Sequence, residues 1–314
     1  LSLHTPLCDL LGIEYPILQG GMAWVSEATL AAAVSNAGAL GIIGSGSADP
    51  DWVAREIRKV RELTDRPFGV NVMLRNPHVD GIMAVIREFC VPVVTTGAGN
   101  PGKYVAGLKE AGIRIFPVVS AVALVKRLVR NGVDGLIAEG MESGGHIGEL
   151  GTFPLVPQVV DAAKVPVIAA GGIFDGRGLA AALALGASGV QLGTRFMAAA
   201  ECTIHPRVKE ALIRASDRDT AVTGRALGHP VRGLCNKLTR QWEKLEAAGA
   251  SPEELEKLGL GRLRAAMMEG DVVYGTVCAG QVAGMVKEIQ PAREIIGEIM
   301  AGAREVIRRL GRMV

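Results

Sequence analysis

His146 lies in the run Glu139-Gly-Met-Glu-Ser-Gly-Gly-His-Ile-Gly148, with Gly144, Gly145 and Gly148 around it. An imidazole titrates near neutral pH, so it can take or give a proton. The flanking glycines offer it little side-chain packing, which favours a proton-handling role over that of a core histidine. Two further glycine loops have a chemistry of their own. Ala169-Ala-Gly-Gly-Ile173 and Gln191-Leu-Gly-Thr-Arg195 present backbone N–H groups where no Cβ blocks approach, an arrangement that cradles a phosphate. Gly171, Gly172, Gly193 and Thr194 are the expected phosphate ligands, with Gln191 beside them.

Other segments add polar or open positions. In Gln19-Gly-Gly-Met-Ala23 the two glycines let a planar ligand approach the backbone at Gly21, Met22 and Ala23. Asn71 supplies a neutral amide that donates and accepts toward a heterocycle. Thr96 lies in Thr95-Thr96-Gly97-Ala98-Gly99, again small and open to close approach. Glu139 suits three roles that the sequence does not separate: a hydrogen bond to a ligand hydroxyl, a cation site, or a structural ion pair. His4, His78 and His205 lack such surroundings and read as surface residues, with His229 in Gly228-His-Pro230 intermediate. No HxxxH pair or carboxylate cluster points to a metal.

These positions acquire meaning from the elements that carry them. Short apolar runs at 16–19, 40–43, 68–72, 91–95, 114–118, 135–138, 166–169 and 189–192 alternate with amphipathic stretches. Helices are expected at 26–36 with Ser26 as N-cap, at 49–63 behind Asp49-Pro50, and at 79–88, 101–111, 121–131 and 176–185, with another starting near Phe153. Gly38, Gly112, Gly132 and Gly186 fall where those helices end, at positions that need a left-handed residue. Eight strand–helix units of similar length predict a closed parallel (β/α)8 barrel. An open doubly wound sheet would carry a GxGxxG turn after its first strand, and Gln19-Gly-Gly-Met22 is not one. In a barrel, ligands bind at the C-terminal ends of the strands, where every residue singled out above is placed. The expected division is a barrel over 1–200 and a helical C-terminal region over 201–314. That region holds a helix at 205–215, a loop at 224–230, charged helices within 236–270 and a final helix at 293–310, and it packs on the barrel or caps its mouth.

Bulk composition narrows the function. The chain has 314 residues, 49% of them apolar and 21% charged, enough to bury a sizeable core. Aromatics at 4% and a net charge of +2 argue against a stacking platform or a basic track for nucleic acid. The cysteines Cys8, Cys90, Cys202, Cys235 and Cys278 form no CxxC pair, so free thiols are expected rather than zinc or disulfides. No signal peptide or membrane span is read, and a cytoplasmic location is expected.

Taken together, PILQGGMAW (16–24), GALGIIG (38–44), RPFGVNVML (66–74), VVTTGAGNP (93–101), AEGMESGGHIG (138–148), VPVIAAGGIFDGRG (165–178), VQLGTRF (190–196), GHPVR (228–232) and AGQVAG (279–284) resemble the nitronate monooxygenase and 2-nitropropane dioxygenase superfamily of FMN barrels, and within it the enoyl-acyl-carrier-protein reductase II branch. The resemblance implies FMN, held against Gly21, Met22, Ala23, Asn71 and the Gly144–Gly145 backbone, with its phosphate at Gly171, Gly172, Gly193 and Thr194. It makes His146 the catalytic or substrate-positioning histidine. It implies NADH or NADPH as electron donor, a possible monovalent cation, and an enoyl thioester on acyl carrier protein as substrate. Met22, Met73, Met141 and Phe196 are candidate linings for the acyl chain. Arg195, Arg207, Arg225, Arg232 and Lys237 are candidate contacts for an acidic carrier, and a homodimer is expected. Oxidation of alkyl nitronates with oxygen is the alternative on the same flavin shell. A barrel dehydrogenase of the inosinate type would need a loop cysteine, and residues 139–152 contain none.

Overall fold

The computed structural model describes residues 3–313. Its strands are β1 (Ile17–Gln19), β2 (Gly41–Gly44), β3 (Phe68–Met73), β4 (Val93–Gly97), β5 (Arg114–Val119), β6 (Leu136–Glu139), β7 (Gly145–His146), β8 (Val167–Ala170), β9 (Gly189–Leu192), β10 (Thr220–Thr223) and β11 (Val231–Leu234). All but β7, β10 and β11 form one parallel eight-stranded sheet in the order β1-β9-β8-β6-β5-β4-β3-β2. Strands of Val, Ile and Leu buried on both faces need helices outside and a packed interior, which a barrel supplies. The edges β1 and β2 close through a Leu18–Leu40 bridge and through Gln19. The Gln19 N–H donates to the Leu40 carbonyl at 2.9 Å. Its side chain donates to the Ile42 carbonyl at 3.2 Å and accepts from the Ile42 N–H at 3.1 Å. A buried side-chain amide thus satisfies backbone groups at the seam of the barrel.

Alternation along the strands sorts the side chains. Leu18, Leu40, Ile42, Val93, Phe116, Ile137 and Ile168 fill the barrel interior, while Ile43, Val70, Val94, Leu136 and Val190 face the helices. A short helix, Pro6–Leu11, plugs the N-terminal end of the barrel with Leu7, Cys8 and Leu11. Thr5 anchors it by donating to the Ser188 carbonyl at 2.6 Å. The helix at Pro50–Leu63 starts as expected, with the Asp49 carboxylate accepting from the Trp52 N–H at 2.7 Å. Ser26, by contrast, does not cap the first outer helix, which is Ala28–Asn36. Its hydroxyl instead bonds the Met22 N–H and carbonyl at 2.7 and 3.1 Å, holding the turn after β1. The stretch expected as one helix over 121–131 divides into a 3-10 turn, Val122–Leu124, and a helix, Val125–Arg130.

The C-terminal region differs most from expectation. After β9 the chain makes only a four-residue helix, Thr194–Met197. The helix Ala292–Gly311 packs against Gly176–Ala184 and Ala28–Asn36, so it takes the place of the eighth outer helix. A Cβ on Gly176 would lie 2.2 Å from the Ala303 nitrogen, so the two helices approach as closely as glycine allows. The barrel therefore draws on residues beyond 200, and 198–291 form an insertion within its last unit. That insertion is not purely helical. β10 and β11 form a hairpin around the turn 224–230, and β11 pairs with β7, His146 opposite Val231. The hairpin ties the insertion to the loop that follows β6. Among the described residues, no helix is long and apolar enough to cross a membrane.

Candidate functional site at the barrel mouth

Above the apolar interior sits a layer of polar side chains. Strand alternation turns Asn71 of β3, Thr95 of β4, Glu139 of β6 and Gln191 of β9 to the same inner side as Val93, Ile137 and Ile168. The Asn71 side chain donates to the Thr95 hydroxyl at 2.9 Å. Thr96 does not join this layer. It shares the outward side of β4 with Val94, and Thr95 takes the inward position expected of it. The Gln191 side-chain oxygen is buried with no partner among the described residues, an acceptor left available at the mouth.

The loop after β1 packs tightly into this layer. A Cβ on Gly21 would lie 2.1 Å from the Asn71 Cβ, and one on Gly44 2.5 Å from the Met22 carbonyl oxygen. The Met22 sulfur reaches the Gly193 backbone, 3.4 Å from where a Cβ would stand. A Cβ on Gly46 would meet that of Ala23 at 2.4 Å. Gly21, Met22, Asn71 and Gly193 are thus brought together.

Gly171 and Gly172 both have left-handed backbone, φ 91° and 68°. Among the described residues their N–H groups, and that of Gly193, donate to no protein acceptor. The turn is held from behind. Thr152 donates its hydroxyl to the Gly171 carbonyl at 2.9 Å, and Glu142 accepts from the Thr152 N–H at 2.9 Å. The Thr194 hydroxyl accepts from the Gly280 N–H at 2.9 Å, so it secures the 279–284 segment. That segment lies on Gly144, whose Cβ would stand 2.8 Å from the Gly280 nitrogen. Gly145 (φ 78°) has open space where a Cβ would project.

His146 follows, exposed on β7. Desolvation by the surrounding loop holds its pKa below the ordinary histidine value, with contributions in the same direction from His229 and Arg75. At pH 7 the ring is therefore mainly neutral. Arg75, in the turn after β3, places its Nη1 3.2 Å from the ring nitrogens of His229. Nothing in the sequence links these two, because they lie 154 residues apart.

The model of the nitronate monooxygenase family matches residues 4–91 and 79–302. The chain belongs to the nitronate monooxygenase family. FabK from Thermotoga maritima is 50% identical to this member, with 99% of each chain covered and a TM-score of 0.97. A nitronate monooxygenase of Paraburkholderia phytofirmans is 34% identical, covering 97% of this chain and 96% of that one. A Mycobacterium tuberculosis protein, (3aS,4S,5R,7aS)-5-hydroxy-7a-methyl-1-oxo-octahydro-1H-indene-4-carboxyl-CoA dehydrogenase, is 35% identical, covering 96% and 97%. The family and FabK are FMN-dependent flavoproteins, and this chain is an FMN-dependent oxidoreductase.

Several side chains expected at the mouth of this nitronate monooxygenase family member have other duties. Arg195 is buried, stacked on Phe174 at 4.5 Å and bonded to Gln290 and Glu298. Arg232 is buried and donates to the Met141 carbonyl at 3.1 Å and the Thr220 hydroxyl at 3.2 Å. Neither is available to a carrier protein, whereas Arg207, Arg225 and Lys237 are exposed. Phe196 is fully buried in the core between strands and helices and lines no slot. Met22, Met73 and Met141 remain partly accessible. Beside Ala23 a recess of about 230 Å³ opens between Trp24, Ser45, Trp52 and His78.

Glu139 has no ion-pair partner among the described residues, which removes one of its three expected roles. Burial pushes its carboxyl up from 4.5 to about 7. Between those values the unfolded chain releases a proton that the folded protein retains, so this group lowers stability as pH rises from about 4.5 to about 7. Glu139→Gln is therefore expected to gain melting temperature relative to the parent at pH 8 and to gain less at pH 5. An equal difference at both pH values, measured on flavin-free protein, would refute the buried neutral carboxyl.

Proposed function

We propose that the chain is an FMN-dependent enoyl-thioester reductase, which uses NADH or NADPH to saturate the trans-2 double bond of an enoyl chain on acyl carrier protein. The observation that carries this reading is the 50% identity to FabK over 99% of both chains, since FabK is an enoyl-acyl-carrier-protein reductase. The CoA thioester in the name of the Mycobacterium tuberculosis relative supports the same substrate class. A cytoplasmic homodimer serving fatty-acid synthesis, with a possible monovalent cation, completes the reading.

The residues present suit the cofactor. The free N–H groups of Gly171, Gly172 and Gly193, with the Thr194 N–H at the start of its turn, would hold the phosphate. Asn71, Glu139 and the unpartnered Gln191 oxygen would meet the polar edges of ring and ribityl chain, and Gly21, Met22, Ala23, Gly144 and Gly145 would flank the ring. Bound FMN supplies a two-electron carrier between nicotinamide and the carbon–carbon double bond. His146 works from the exposed side of the mouth. Being neutral, it either offers a ring N–H to the thioester carbonyl, which draws charge off the β-carbon, or gives the α-carbon its proton. Glu139, its carboxyl raised to about 7, is protonated in a large share of molecules near neutral pH and so opposes a reduced flavin less than an ordinary carboxylate would.

A second reading, nitronate oxidation with oxygen, is favoured by the family model and the Paraburkholderia phytofirmans relative. One experiment separates the two. The holoenzyme is mixed without oxygen with NADH or NADPH, then with crotonyl thioester, and in parallel with an alkyl nitronate. Bleaching of the flavin band by the nicotinamide and its return with the thioester are expected. A flavin inert to NAD(P)H but bleached by nitronate would overturn the reductase reading.

A further inference from the structure

Arg75 and His229 meet at the rim of the mouth, one from the turn after β3 and the other from the turn between β10 and β11. Both are exposed, and His146 is exposed beside them. Among the described residues, none of the three has a carboxylate within ion-pairing distance. Arg225, on the same turn as His229, is exposed and adds positive charge. A guanidinium held within 3.2 Å of an imidazole, with no carboxylate to balance it, leaves positive charge and N–H donors at one place for an anion to meet. The contact joins the turn of the hairpin to the turn after β3, so side chains from two distant segments meet at one spot.

We propose that Arg75 and His229 form a phosphate seat at the rim, separate from the Gly171–Gly172 turn, which holds a phosphorylated substrate while its reactive end lies at His146. The guanidinium fork matches two phosphate oxygens, and the imidazole beside it offers a further N–H donor. This inference rests on the reductase reading for its choice of ligand. Two substrates of that reaction carry the chemistry, the phosphopantetheine arm of the thioester and the pyrophosphate of the nicotinamide dinucleotide.

The test is calorimetric titration of the holoenzyme with inorganic pyrophosphate, coenzyme A and NAD+, using the parent, Arg75→Met, His229→Ala and Arg130→Met. Arg130 ends an outer helix, so its loss removes one charge away from the mouth. Hydrogen bonds to charged groups predict binding about tenfold to a hundredfold weaker in Arg75→Met for pyrophosphate. A matching loss for coenzyme A assigns the seat to the thioester, one for NAD+ to the donor, and losses for both to their shared phosphate chemistry. Arg130→Met should bind as the parent does. The seat is overturned if the parent binds none of the three probes, if Arg75→Met binds them unchanged, or if Arg130→Met weakens them equally. Failure of the reductase reading shows separately, as a flavin that crotonyl thioester does not reoxidise while pyrophosphate binding persists.

Discussion

His146→Ala is expected to retain its flavin and its bleaching by NADH, and to slow reoxidation by enoyl thioester about 10²–10⁴-fold, the usual range for a lost proton-transfer group. The half-reactions part in this way because the nicotinamide step needs no proton from the protein, whereas reduction of the double bond leaves negative charge on the thioester and an α-carbon to protonate. The backbone of β7 stays paired with β11 whatever side chain position 146 carries. The variant therefore tests the imidazole rather than the loop. His146→Gln separates its two roles. It keeps an N–H donor but cannot transfer a proton at neutral pH, so recovery of most of the rate would assign His146 to carbonyl polarisation. A reoxidation rate unchanged in His146→Ala, measured by stopped flow, would remove the residue from the mechanism.

Gly171→Ala is expected to bind flavin roughly fivefold to 150-fold more weakly and to emerge with less of it. At φ 91° a side chain is strained, and its Cβ would lie 2.8 Å from the Gly140 carbonyl oxygen and 3.0 Å from the Thr152 hydroxyl. Strain of about 1–3 kcal/mol has to be relieved by moving the turn. Moving it swings the free N–H groups off the phosphate, and that energy converts to roughly fivefold to 150-fold in affinity. Gly172→Ala, at φ 68° with its nearest neighbour at 3.2 Å, should lose less. Gly297→Ala serves as the control. Its Cβ meets nothing within 4 Å on an exposed helical face, so it should keep its flavin and gain slightly in melting temperature. Full flavin occupancy in Gly171→Ala, read from the ratio of visible to ultraviolet absorbance, would remove the turn from the cofactor site.

Much of this architecture is legible in the sequence because its signals are local. The strand–helix alternation places every barrel strand within two residues of its position. Gly38, Gly112, Gly132 and Gly186 all have positive φ, as the helix ends require. What escapes is set by distance or by a single step of register. The helix Pro6–Leu11 is six residues long, too short for a periodicity to show. Thr96 and Thr95 differ by one position, and one position along a strand reverses the face. β7 is two residues long and exists as a strand only because β11, some 85 residues later, lies beside it. Arg195 and Arg232 look like surface charges until their partners, Gln290 and the Met141 carbonyl, arrive from elsewhere in the chain. The contact of Arg75 with His229 belongs to the same class.

The displaced eighth helix has a consequence for how the protein is made. Outer helices Ala28–Asn36 and Gly176–Ala184 leave the ribosome early, yet the element that covers the gap between them is Ala292–Gly311. At synthesis rates of roughly 5–20 residues per second, the hundred or so residues between the second and third of these take several seconds to appear. Throughout that interval the nascent chain holds eight strands with one flank of the barrel bare, exposing the sites that Ile295, Ile296 and Ile299 will cover. Closure is deferred until the whole insertion has been made, and so is protection from aggregation. A chain cut short within the insertion would keep all eight strands and leave that flank bare.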